Sequence, residues 1–120
     1  DYGQGTPEQK LAEFLGYWKR GNYGFMAKCL GQYIEKYIAK PIEEVKLEYA
    51  SKNLLDFQLR SIVDVAYCAT NIETLVQYQQ ASVVQEKVVT FRLLNEDEQG
   101  EFVARGNPMG KWFLLDWRVG

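Results

Sequence analysis

From Leu55 to Tyr67 the chain reads with period two. Leu55, Phe57, Leu59, Ser61, Val63, Val65 and Tyr67 fall on one side of an extended chain, and Asp56, Gln58, Arg60, Ile62, Asp64 and Ala66 on the other. Period two over more than ten residues predicts a long, half-buried strand. A helix returns a side chain to the same face only every three to four residues, so it does not fit this pattern. Further strands are expected over 74–80, with Val76 and Tyr78 on one face, and over 83–94, with Val89, Phe91 and Leu93 opposed to Val88, Thr90 and Arg92. A short strand is expected over 101–105, and a last one over 111–119 with Phe113, Leu115, Trp117 and Val119 on its apolar face. Asn71, the polar run Asn95–Gly100, and Gly106–Gly110 are expected turns. These connections are too short for crossover helices, so the sheet is expected to be antiparallel.

The first half has the other period. Thr6 can cap a helix, Pro7 suits its first position, and Gln9 completes a capping box. Leu11, Phe14, Leu15 and Trp18 then form one apolar stripe, and Gly21-Asn22 ends it. A shorter helix from about Tyr23 to Leu30 is broken by Gly31. The stretch 32–40 is ambiguous, since Tyr33, Ile34, Tyr37 and Ile38 also fit helical spacing. Pro41 opens a third helix, with Glu43 and Glu44 in its first turn and Val45 and Tyr49 one turn apart. Helices first and strands second make an α+β domain, with three N-terminal helices packed on one face of a bent antiparallel sheet. At 120 residues the chain suits one domain, over 7–120, with 1–6 as a linker or trimmed start. The expected core is Phe14, Trp18, Phe57, Leu59, Val63, Val89, Phe91, Leu115 and Trp117.

The composition narrows the chemistry. There is no His, which removes the commonest general base and metal ligand. The net charge of −2 gives no basic excess for nucleic acid, and the apolar runs are too short for a membrane span. No nucleophile elbow, P-loop or dinucleotide fingerprint occurs. Cys29 and Cys68 lack metal spacing and sit among apolar neighbours, so they read as buried free thiols, with a disulfide as the alternative. No metal or other cofactor is expected. Glu96-Asp97-Glu98 lacks calcium-loop spacing and reads as a solvated turn. Asp64 and Asp116 are weak catalytic candidates, together with Tyr17, although the alternation puts both carboxylates on the wet face. Tyr and Trp side chains could line a pocket or simply pack the core.

This layout resembles the nuclear-transport-factor-2-like superfamily, a cone-shaped α+β fold. The stretch Leu11–Tyr23, with Gly21-Asn22 at the helix end, is similar to its first helix. Val88–Asn95 and Gly110–Trp117, with Gly-Lys-Trp, are similar to its last two strands. The resemblance implies a cavity lined by Phe14, Tyr17, Trp18, Tyr33, Tyr67 and Trp117. The superfamily's dehydratases use a His–Asp dyad, which this chain cannot form, and its isomerases use a Tyr where this chain has Phe14. The expected function is therefore a non-catalytic module binding a small apolar ligand, a peptide or another subunit. The alternatives are a small isomerase- or dehydratase-like enzyme, and an extracytoplasmic accessory domain of a larger anchored protein. The resemblance also implies a homodimer through the outer sheet face. There the alternation places Ile62, Val88, Trp112 and Leu114 beside Arg60, Arg92 and Arg118.

Overall fold

The computed structural model describes residues 2–33, 36 and 41–115. Three helices, α1 (Pro7–Lys19), α2 (Tyr23–Lys28) and α3 (Ile42–Ala50), precede four strands, β1 (Asn53–Ala66), β2 (Ala69–Gln80), β3 (Val83–Glu96) and β4 (Lys111–Leu115). The strands form one sheet in the order β1-β2-β3-β4, every neighbouring pair antiparallel. The protein is α+β, as the change of period demands.

The helix layer follows the sequence closely. Thr6 Oγ1 accepts the Gln9 amide at 3.2 Å, while Gln9 Oε1 reaches back to the Gly5 amide at 2.7 Å, one residue before the expected partner. Leu11, Phe14, Leu15 and Trp18 are all buried. Gly21, with φ of 72°, ends the helix in the left-handed region, and Asn22 Oδ1 caps α2. The Trp18 indole donates to the carbonyls of Tyr49 and Lys52 at 3.0 and 2.9 Å. It thereby ties α1 to the last turn of α3 and the residues just beyond it. Phe14 meets Tyr49 and Phe91 edge-on, at ring separations of 5.2 and 6.4 Å, joining the helices to the sheet.

The sheet departs from the expected faces in instructive places. The β1–β2 register shifts between Leu54 and Asp56, Leu59 and Ser61, and Asp64 and Ala66. Each shift is a bulge that adds one residue, and a bulge reverses the alternation beyond it. Phe57 and Leu59 therefore face the helices opposite Val76 and Thr74, as expected, whereas Leu54, opposite Tyr78, takes the place expected for Leu55, which is the bulged residue. After the bulge at Arg60, Ile62 and Asp64 take the helix side instead, opposite Ile72 and Thr70. Val63 moves to the outer side and is 58% exposed, and Val65 and Tyr67 are also exposed.

β2 begins at Ala69, and Asn71 lies inside it rather than in a turn. Its side chain is satisfied in the ladder, accepting Arg92 Nε at 2.9 Å. The segment 101–105 is no strand, since only Phe102 bridges to Glu96. Asn95 instead donates its side-chain amide to the Val103 and Ala104 carbonyls. In β4 the expected faces are inverted. Trp112 and Leu114 pair with Asn95 and Leu93 on the helix side and are buried, while Phe113 and Leu115 take the outer side. Trp112 to Leu115 are all apolar, so alternation could not choose a face. The Leu114 amide also donates to the Cys29 carbonyl at 2.8 Å, which closes the far edge of β4. Phe14, Trp18 and Phe91 are buried as expected, Leu115 is buried but on the outer side, and Phe57, Leu59 and Val89 pack partly buried against the core. Asp116, Trp117 and Arg118 lie outside the described residues.

Candidate functional site

The helices cover one side of the sheet. On the other side the register builds cross-strand rungs. Gln58, Leu75 and Val88 form one rung, with Ser61, Glu73 and Thr90 on one side of it and Asp56, Gln77 and Glu86 on the other. Val63, Asn71 and Arg92 form the next rung beyond Thr90, and Asn53, Gln79 and Val84 the one beyond Glu86. Val63, Val84 and Val88 are more than half exposed, and Leu75 is half-buried between them. Val63, Leu75, Val84 and Val88 stand on this face among polar rungs, with Arg92 towards one end, Glu73 between it and the Leu75 rung, and Asp56 and Glu86 towards the other. Of the residues expected on this face, Val88 and Arg92 are there. Ile62, Trp112 and Leu114 are on the helix side, Arg60 is the bulged residue, and Arg118 lies outside the described residues.

One arginine organises the open end of the sheet. Arg105 Nη1 lies 2.5 Å from Asp64 Oδ1 and donates to Thr70 Oγ1 at 3.0 Å. Its Nη2 donates to the carbonyls of Ala66 and Ala69, and its backbone amide to that of Tyr67. The guanidinium also stands 5.8 Å from the Trp112 ring centre. Asp64, a candidate catalyst on sequence, is thus engaged in holding the β1–β2 reversal.

The expected cavity residues do not converge. Phe14 and Trp18 are locked in the core. Tyr17 stacks on Phe25 at 5.6 Å and carries Arg20 at 5.3 Å from its ring. Tyr33 packs on Phe102 at 5.6 Å and lines an outer cleft of about 270 Å³ with Val65, Leu94 and Leu115. Tyr67 is 62% exposed at the β1–β2 reversal. Trp117 lies outside the described residues. A second cleft, of about 250 Å³, lies between the start of α1 and Trp112. A third, of about 280 Å³, lies at the end of β3 beside Glu96, Asp97, Glu98 and Phe113.

Glu96 is the group that sequence reasoning placed wrongly. It belongs to β3, not to a solvated turn, and is 2% exposed. Its Oε1 accepts the Gln32 amide at 3.2 Å, whereas the buried Oε2 has no hydrogen-bond partner among the described residues. Burial pushes its carboxyl above the ordinary carboxylate value; the Gln32 amide opposes this, Asp97 adds to it, and Lys36 opposes it. A Cβ on residue 31 would stand 2.3 Å from Oε2, so only Gly31 admits the carboxylate. The pairing of Gly31 with an acid 65 positions later leaves no local signal in the sequence. Both thiols are buried and unpaired, and burial pushes Cys29 up to about 11, which makes it a poor nucleophile.

Among the described residues no helix is long and apolar enough to cross a membrane. No family model matches the chain, and no curated protein matches it in sequence. A solved structure does: that of a SEC-C motif-containing protein from Psychrobacter arcticus, at a TM-score of 0.68 and 9% identity. The match covers 96% of this chain and 61% of that protein, so this chain spans less than two-thirds of its length. What the two have in common is the fold.

Proposed function

We propose that this domain is a non-catalytic protein-interaction module of the nuclear-transport-factor-2-like type, and that its outer sheet face takes a second copy of the same chain. The order of three helices and an antiparallel meander supports that family. Phe14, Trp18, Tyr49 and Phe91 fill the space between helices and sheet, which speaks against a substrate chamber. The observation that carries the reading is the Leu75–Val88 rung, with Glu73 and then Arg92 on one side of it and Asp56 and Glu86 on the other. A two-fold axis near this rung would bring each Arg92 towards the partner's acidic end, giving one self-complementary patch. A second reading, a small apolar ligand, is favoured by the outer cleft that Tyr33, Val65 and Leu94 line.

Mass measurement in dilute solution tests the first reading. The parent is expected at twice 13.9 kDa, and Val88→Glu at the monomer mass with an unchanged melting temperature. Val88 is exposed within one chain, so the variant should fold. A monomeric parent, or a Val88→Glu protein that stays dimeric, would sink the proposal.

A further inference from the structure

We propose that the outer cleft beside Arg92 binds a small carboxylate with an apolar body, a short-chain fatty acid in its simplest form, and that Arg92 takes the carboxylate. The proposal rests on the second reading above, a small ligand in this cleft. Self-association through the sheet face draws on the same Arg92 and would compete with it. The first support is the arginine. Among the residues that line the cleft, Arg92 alone carries a charge. Its Nε donates to Asn71 Oδ1 at 2.9 Å, which holds the guanidinium in place. Among the described residues its two terminal nitrogens have no hydrogen-bond partner, and it forms no ion pair. Glu73 stands one rung away on the same face without pairing to it. Two terminal nitrogens form a fork that matches the two oxygens of a carboxylate. Arg105 gives the contrast, since Asp64, Thr70 and two carbonyls take its terminal nitrogens.

The second support is the wall. Val65, Leu94 and Leu115 give aliphatic sides, and Tyr33 and Phe102, their rings 5.6 Å apart, give an aromatic one. Apolar walls keep water from the charges and so strengthen a pairing between them. They also select among anions. A phosphate or sulfate is held by several donors, whereas this lining offers one guanidinium. A monocarboxylate is satisfied by one, and its hydrocarbon body meets the remaining wall. The cleft, at about 270 Å³, falls just below the roughly 300–1,000 Å³ of sites for drug-sized ligands, so a short chain suits it.

The experiment follows backbone amide shifts near neutral pH while two probes are titrated separately: octanoate, and octanamide, its uncharged counterpart of the same length. Saturable shifts at Ala69, Arg92 and Phe102 are expected with both, and octanoate should bind about tenfold more tightly. Arg92→Gln should remove that advantage, weakening octanoate about tenfold and leaving octanamide unchanged. Arg92→Lys should retain part of it, because the charge stays while the fork is lost. The comparison of the two probes on the parent needs no variant, so the test stands if Arg92→Gln fails to fold. Equal affinity for the two probes in the parent, or octanoate binding unchanged in Arg92→Gln, would overturn the carboxylate and leave an apolar-ligand cleft standing. Absence of saturable shifts with either probe, or shifts at Gln9 and Trp112 in their place, would overturn both.

Discussion

Leu54, Phe57 and Leu59 in the first half of β1 are buried or half-buried, whereas every residue from Arg60 to Ala66 is exposed, although the sequence alternates alike through both. The difference lies in what covers each half. A 14-residue strand would run about 46 Å if straight, at roughly 3.3 Å per residue. The 13 residues of α1 reach only about 20 Å at roughly 1.5 Å per residue. The helix layer is shorter than the strand that it packs against. Alternation reports which face a side chain takes, but coverage depends on the length of another element. The uncovered half is held instead by Arg105, one side chain donating to a carboxylate, a hydroxyl and two carbonyls.

The sharpest break of this comparison comes from paired truncations. Trp18→Ala removes a buried indole and the donor for two carbonyls, and should cost about 3–5 kcal/mol. Val63→Ala, in the open half, should change stability by about 0.5 kcal/mol or less. Chemical denaturation measures both, and comparable losses would show that the open half is covered in solution. A smaller effect is expected from Arg105→Ala, about 1–2 kcal/mol, since the guanidinium is partly exposed. Amide exchange should accelerate at Asp64–Thr70 and stay slow at Leu54–Leu59 and Thr74–Tyr78. Uniform acceleration would mean that the two halves unfold as one unit.

The smallest effect belongs to Glu96, which is buried although it lies at the same end of the sheet as Arg105. Burial raises the Glu96 carboxyl above its ordinary 4.5, so the folded protein holds that proton more tightly than the unfolded chain. The associated stability is complete below the ordinary value and is lost as pH rises through the folded one. The denaturation midpoint of the parent should fall over that interval, and Glu96→Gln should flatten the fall. A midpoint that rises across the interval in the parent alone would show that Glu96 is ionised and paired.

Much of the helix layer was legible because its signals are local. Thr6, Pro7 and Gln9 announce a start, four apolar residues share a stripe, and Gly21 ends it within twenty positions. The α+β class followed from the change of period. What was not legible depends on distant partners. Near Arg60 the one hint of a bulge is that Ser61 and Ile62 fall on each other's faces, because the extra residue itself is defined by its pairing with β2. Trp112 and Leu114 sit in a wholly apolar stretch, where the face is decided by the register with Leu93 and Asn95. Arg105 and Glu96 lie in polar surroundings that look solvated, and their roles depend on Asp64 and Gly31, some 40 and 65 positions away.

The three bulges of β1 also govern how this protein meets other chains. β1 ends the described sheet, and a straight outer strand of its length would present an even ladder of unpaired amides and carbonyls to any passing strand. Bulges at Leu55, Arg60 and Val65 break that ladder into pieces of four residues or fewer between them and twist each out of line with the next. Recruitment along the edge, the route that leads towards fibres, is thereby blunted. The domain can leave Val63, Val84 and Val88 in the open because the edge beside them offers no regular ladder for strands to add to.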